Sequence, residues 1–287
     1  MANPTLQTYL TQTQRLLHDA NFKYWSAQTL TDAINTACFR VANDTQCTRQ
    51  LQTIYLSGGL ETYAYGSVSG ALVVTGGSGY SNATTVTFSA PATVGGVTAT
   101  GTVVLISGVV SQIQVTNGGS GYTAAPTATI ADTGGGTGAN VTPSILLPQT
   151  QDTLSVSCLW GTERIVLGRL AFTGLQASVR SWVGYTQRPC YYASYGQNTW
   201  YISPIPDQFY QTEWDTILQP ATLVNLTDVS VLQYPYTEAV PYYAAHVAKF
   251  QEQSYAEADK FLAMYTQKAR YAIRSVMSRQ LPTSYGG

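Results

Sequence analysis

Glu213 and Asp215 flank Trp214, a spacing that puts two carboxylates on one face of a strand. Two carboxyl groups about 5 Å apart serve a retaining glycosidase, and a wider pair serves an inverting one. The alternation around Trp214 fits an ordinary strand with one polar face, so the pair is not read as catalytic. Gly77-Ser78-Gly79 and Gly119-Ser120-Gly121 have the composition of phosphate-cradling loops, but no Gly-Lys-Ser/Thr or helix follows them. Tyr80 and Tyr122 stand where a Gly-x-Ser-x-Gly nucleophile elbow needs its last glycine. His18 and His246 are far apart on helical stretches with polar neighbours, which suits surface or interface residues better than a general base. Cys38, Cys47, Cys158 and Cys190 give no Cys-x-x-Cys, so a zinc site lacks its ligands. Four such scattered cysteines read as reduced, half-buried small hydrophobes. The expectation is a chain without catalytic residues, metal or cofactor, and not an enzyme.

One charged pattern remains. From Lys260 onward the chain carries Lys260, Lys268, Arg270, Arg274 and Arg279 and no acid. Cations at the end of a helix complement its macrodipole, which accounts for Arg274 and Arg279 without further function. The alternative is that this basic end and the tail Leu281 to Gly287 dock on an acidic partner surface. DNA phosphates are a third possibility, though five charges give only weak, salt-sensitive binding.

Bulk composition narrows the classes. The chain has 287 residues, 44% of them apolar, and only 10% charged with a net charge of −1. A free-standing nucleic-acid binder would carry a basic surplus. A charge-poor surface offers little protection against association, and 21 tyrosines favour interfaces. No stretch approaches 18 consecutive apolar residues, so no bilayer-spanning helix is expected, and the first residues lack the pattern of a secretory signal. These features lean towards a component of an assembly.

Between Arg49 and Arg164 there is no Lys or Arg, and from Thr62 to Thr150 the single charged side chain is Asp132. That stretch repeats itself: Val73-Val74-Thr75-Gly76-Gly77-Ser78-Gly79-Tyr80 returns 42 residues later as Val115-Thr116-Asn117-Gly118-Gly119-Ser120-Gly121-Tyr122. Thr85-Val86-Thr87-Phe88 likewise returns as Thr127-Ala128-Thr129-Ile130. Short β-branched runs between glycine clusters predict strands and tight turns. Two copies are too few for a solenoid, so a β-sandwich or barrel-like insertion of two pseudo-equivalent halves is expected; a disordered linker would carry less Val, Ile and Leu.

The ends differ. Leu6, Leu10, Thr13, Leu17 and Ala20 predict an amphipathic helix over residues 6–20. Thr29 and Asp32 form a capping-box-like pair ahead of a helix through Leu30, Ile34, Ala37 and Val41, running to about Leu51. Tyr236-Thr237-Glu238 opens a helix with Pro241 in its first turns, and a last helix is expected from about Ser254 to Met277. Leu154 to Trp160 and Arg164 to Leu170 predict strands. Residues 198–202 and 209–214 flank Pro204-Ile205-Pro206-Asp207 and predict a hairpin with a longer loop. The fold class that follows is α+β: a discontinuous helical bundle formed by both termini, with central β-strands and an inserted Gly/Thr-rich β-sandwich-like domain. The expected parts are 1–60 and 236–287 (helical), 61–148 (the inserted β domain) and 149–235 (the β-rich remainder of the core).

Three stretches together resemble one family: Tyr24-Trp25-Ser26 running into Leu30 to Ala37, Tyr201-Ile202-Ser203-Pro204-Ile205-Pro206-Asp207, and Tyr234 to Ala245. In that order they resemble the head-to-tail adaptor (connector, head-completion) proteins of tailed bacteriophages. The Gly-Gly-Ser-Gly-Tyr repeats are similar to small β-modules of phage structural proteins. The resemblance implies a structural virion protein at the head–tail junction, assembled in the host cytoplasm. It implies a self-associated, dodecameric ring under the portal, with a nozzle or tail tube below and genomic DNA passing through unread. On that basis Lys268, Arg270, Arg274, Arg279 and Tyr285 are candidate portal contacts, and Tyr191, Tyr192, Tyr195 and Trp200 candidate interface aromatics. The β insertion would face outward towards tail fibres or the capsid vertex. The other reading is a tail fibre or decoration protein binding a host-surface glycan or receptor, with the aromatics of residues 185–201 stacking on sugars.

Overall fold

The computed structural model describes residues 3–178 and 184–276. The chain divides into two compact units, one of Met1–Arg49 with Ile217–Gly287 and one of Gln50–Thr216. Strands hold 38% of the chain and helices 27%, in four sheets and five α-helices among the described residues. The protein is therefore mostly β, and the expected α+β fold, a helical bundle of the termini with strands added, is overturned. The physical reason is the extent of the β structure, which outweighs the terminal helices. It begins at Arg49, where a helix was expected to continue, and runs to Leu218. One buried hydrophobic cluster extends from Ile54 to Trp214.

In the unit of the two termini, α1 (Leu6–Leu17) starts at Thr5, whose hydroxyl accepts the Thr8 N–H at 3.3 Å, and stops at His18 in the left-handed region. The cap of α2 (Ala27–Thr45) is Ser26, which accepts the Thr29 N–H at 3.1 Å; Thr29 itself lies inside the helix, and Asp32 accepts from the Gln28 side chain instead. Gln46 at φ 52° ends α2 well before Leu51. A 3₁₀ turn (Tyr236–Glu238) leads into α4 (Val240–Gln251), with Pro241 in its first turn, and α5 covers Tyr255–Val276. Leu10, Leu30, Ile34 and Val41 bury against Ala244, Ala245 and Ala248, small residues that let the helices approach closely. The segment between the last strand and the 3₁₀ turn is held by Asn35: its amide donates to the Leu223 carbonyl at 3.0 Å and accepts the Leu223 N–H at 2.9 Å.

The other unit is built from strands, apart from the short helix α3 (Phe172–Ser178). One sheet runs β1 (Arg49–Leu56), β14 (Tyr210–Leu218), β9 (Thr150–Trp160), β10 (Glu163–Val166), and another runs β11 (Gly168–Ala171), β12 (Tyr191–Tyr195), β13 (Thr199–Ser203), β2 (Thr62–Ala64). Trp214 is fully buried between them, its Nε1–H donating to Thr212 at 2.9 Å and its ring meeting Trp200 edge-on at 5.8 Å. The hairpin expected around residues 204–207 does not form, because β13 and β14 belong to different sheets. Ile205 bonds instead to the backbone of Tyr185 and Gln187, so the turn carries the chain from one sheet to the next.

The repeat supplies β3 (Val68–Ser78), β4 (Thr85–Phe88), β5 (Thr100–Ile106), β6 (Val109–Asn117), β7 (Ala128–Ala131) and β8 (Thr137–Ile145). These form a four-stranded sheet in the order β5-β6-β3-β8 and a ribbon β4-β7. Ala71 pairs with Ile113 and Thr87 with Thr129, in each case a residue with its own counterpart 42 positions on. A pseudo-two-fold axis therefore passes through both pairings. The halves also exchange anchors. The Tyr80 hydroxyl accepts the Ala139 N–H at 3.0 Å, and the Tyr122 hydroxyl accepts the Ala99 N–H at 2.9 Å while donating to the Ser89 carbonyl at 3.0 Å.

Asp132 pins one turn of this module. Its carboxylate accepts the Ser81 hydroxyl, the Thr84 hydroxyl at 3.2 Å and the Gly136 N–H at 2.9 Å. The Ser81 hydroxyl and the Gly136 amide hold its pKa down at about 2. A depressed carboxylate contributes stability above its unfolded pKa, and that contribution is lost as pH falls through about 2. Melting followed between pH 4.5 and pH 2 should thus drop more steeply in the native chain than in Asp132→Asn; parallel curves would show that Asp132 does not stabilise the turn.

Candidate interaction surface

The basic residues singled out in the sequence fall on α5, whose regular helix fixes their relative positions. Lys268 is neutralised by Glu238 at 2.7 Å. Lys260, Arg270 and Arg274 make no ion pair among the described residues. Spacings of three and four place Lys260, Met264, Gln267, Arg270, Tyr271 and Arg274 along one outward stripe, with Met264 and Tyr271 largely exposed. A shallow groove of about 610 Å³ follows it, lined by Ala263, Thr266, Gln267, Arg270, Tyr271 and Arg274. The opposite face of the helix packs inward through Ala258, Tyr265, Ala269 and Ala272, and the Tyr265 hydroxyl donates to Asp44 on α2 at 2.7 Å. Arg279 and Tyr285 lie outside the described residues.

The four candidate aromatics separate by strand parity. Tyr192 and Trp200 point into the core, whereas Tyr191 and Tyr195 are exposed on the other side of β12. Tyr195 packs on Phe172 at 4.7 Å and meets Tyr201 edge-on at 5.9 Å. The period-2 pattern of a strand was the signal that could have divided them.

The residues considered for chemistry have structural engagements. Glu213 is paired with Arg164 at 2.6 Å, and Asp215 is buried. His246 donates from Nδ1 to the Ala258 carbonyl at 2.9 Å, tying α4 to α5. All four cysteines are free thiols, and burial pushes that of Cys38 up to about 12, far from a reactive thiolate. Among the described residues no three His, Cys, Asp or Glu side chains gather in a metal-binding group, and no helix is long and apolar enough to cross a membrane.

Sequence reasoning missed the segment between β14 and the 3₁₀ turn, where Val224, Leu226, Val229, Val231 and Tyr234 are all exposed. The alternation Val229-Ser230-Val231-Leu232 was legible, but no regular element was assigned there. No protein-family model matches the chain, and no curated protein does.

Proposed function

We propose that this chain is a structural protein of a tailed-phage virion, forming the ring that joins the portal of the head to the tail and lines the DNA exit channel. The observation that carries the reading is the outward stripe of α5. It combines two arginines that make no ion pair among the described residues with a tyrosine along one groove, and an exposed Met264 on the same stripe, residue types enriched at protein interfaces. In this reading α5 faces the portal, and tail components attach on the opposite side of the ring. The low charge of the chain suits a channel that passes DNA without gripping it.

The experiment is the native mass of the chain mixed with the portal ring of its own phage, with about one copy bound per portal subunit expected. Truncation is a poor probe, because Ala272 is buried and removing the end of α5 would strip packing as well as charge. Arg270→Glu with Arg274→Glu, both exposed, should weaken binding roughly 100-fold, the effect of losing interface anchors. Unchanged binding by the double variant would remove α5 from the interface, and no binding by the native chain would remove the adaptor function.

A second reading, recognition of a host-surface glycan, draws on the exposed Tyr195 and its Phe172 and Tyr201 neighbours, a ring cluster on which a sugar could stack. A trimer that ignores the portal and loses glycan binding in Tyr195→Ala would favour it.

A further inference from the structure

The sheet β11-β12-β13-β2 carries a second surface, apart from α5. Residues paired directly across a sheet point to the same side. Tyr195 pairs with Thr199 and Thr199 with Ala64; in the next row Ala193 pairs with Tyr201 and Tyr201 with Thr62. Tyr195, Tyr201, Thr199, Thr62 and Ala64 therefore share one face, opposite to the buried Tyr63, Tyr192 and Trp200. On that face Tyr195 and Thr62 are exposed, and Tyr201 and Thr199 half-buried.

Thr62, Ala64 and Thr199 also line a cleft of about 380 Å³, whose other walls include Ser67, Thr116, Asn117 and the Gly118-Gly119 backbone of the repeat. None of its lining residues is charged. The walls are fixed within the chain. Ser67 Oγ donates to the Ala64 carbonyl at 2.7 Å and accepts the Ala64 N–H at 3.1 Å. The Gly118 carbonyl accepts the Val68 N–H at 2.8 Å, and Asn117 Oδ1 accepts the Gly119 N–H at 2.9 Å. In contrast, the Thr62 and Thr199 hydroxyls and the Asn117 Nδ2 amide make no hydrogen bond among the described residues.

We infer that this face binds a neutral saccharide, with one sugar stacked on the Tyr195 and Tyr201 rings and the next lying in the cleft. The C–H face of a pyranose is apolar and packs on an aromatic ring. Tyr195 and Tyr201 stand at 88° with centres 5.9 Å apart, so one ring can lie under a sugar while the other stands beside it. Phe172 packs against both, at 4.7 and 4.9 Å. Thr199 is one strand away from Tyr195, about 4.8 Å, so adjoining sugars reach both. Sugar hydroxyls donate and accept, which matches two threonine hydroxyls and an amide donor. An acidic sugar would lose water on entering and find no cation among the lining residues. Walls already in place keep the ordering cost of binding low. The inference rests on the glycan reading of Tyr195 given above, and adds to it the cleft and the class of sugar; it does not need the ring.

A glycan array probed with the full-length chain tests it, carrying neutral hexose and N-acetylhexosamine oligosaccharides beside uronic-acid and sialylated ones. Neutral glycans should be retained and acidic ones not. In calorimetric titration with a retained glycan, Tyr195→Ala should weaken binding about 10-fold, whereas Tyr195→Phe, which keeps the ring, should bind like the native chain. Thr62→Val with Thr199→Val should also weaken it about 10-fold. Those hydroxyls hold nothing within the chain, so the melting temperature should stay near native. A threonine pair that melts early gives way to Asn117→Asp, which keeps the Oδ1 acceptor of the turn and removes the donor. Loss of binding in Tyr195→Ala alone would overturn the cleft and leave the glycan reading standing. Loss in the cleft variants alone would overturn the stacking on Tyr195. Retention of acidic glycans only would overturn the neutral class, and retention of none would overturn the inference and the glycan reading together.

Discussion

Replacing Gly119 by alanine should destabilise the β-rich unit by about 3–5 kcal/mol, among the largest effects of any single methyl group in the chain. Gly119 has φ 67°, a left-handed conformation that costs other residues energy. A Cβ there would also press into the Val97 carbonyl and the Ala99 N–H, the same amide that Tyr122 holds from the other side. These are backbone atoms in a paired stretch and cannot swing away. Gly77 is the counterpart in the first half, with φ 62° and a Cβ aimed at Thr137 and Ala139, so Gly77→Ala should behave alike. Gly95 separates the two causes: its φ is 80°, but nothing lies within 4 Å of its Cβ position. Gly95→Ala should cost only about 1–2 kcal/mol, the conformational part. Equal urea midpoints for Gly95→Ala and Gly119→Ala would show that the close approach of the halves contributes nothing.

The second large effect concerns Asn35. Its substitution by leucine keeps the γ-branched shape but leaves the N–H and carbonyl of buried Leu223 without partners. Two buried, unsatisfied backbone groups should cost about 2–5 kcal/mol. The loss is directional as well as energetic. Residues 224–234 follow directly, so exchange of the Leu223, Leu6 and Gln7 amides should accelerate, while amides of β3 to β8 remain as they were. Asp32→Ala, on the exposed side of the same helix, serves as the comparison and should shift the melting temperature little. Unchanged exchange at Leu223 in Asn35→Leu would show that the segment is held by other contacts.

What was legible in the sequence follows physical range. The repeat was readable because each copy needs the same glycines and the same tyrosine, constraints satisfied within a few residues. The terminal helices were readable from their apolar period. The cap of α2 was misplaced by one turn because Ser26 and Thr29 both present a hydroxyl in the right setting, and local pattern cannot say which backbone bends. Sheet membership was not readable. Thr199–Ser203 and Tyr210–Leu218 look like hairpin arms, yet their partners are 62–64 and residues of the first sheet, chosen by burial of Trp200 and Trp214 rather than by the loop between them. The basic stripe was visible as composition; that Lys268 is spent on Glu238 while Arg270 and Arg274 are not depends on tertiary geometry. Asn35 carried no signal, since a lone polar residue on a helix reveals its partner only when Leu223 arrives 188 positions later.

The exchange of tyrosines between the halves of the repeat has a consequence for how the chain is made. Synthesis proceeds from residue 68 onward, yet β3 finds its flanking strands only in residues 109–117 and 137–145. Tyr80 waits for Ala139, and the Trp200 and Trp214 rings that complete the interior come later still. The first half therefore emerges from the ribosome with no partner for its backbone and almost no charge to keep it dispersed. Closing loops of that length before any contact rewards them is slow. The step most exposed to misassembly is then translation itself, and slowing elongation through residues 80–145 should harm the yield of soluble chain more than slowing it anywhere after Trp214.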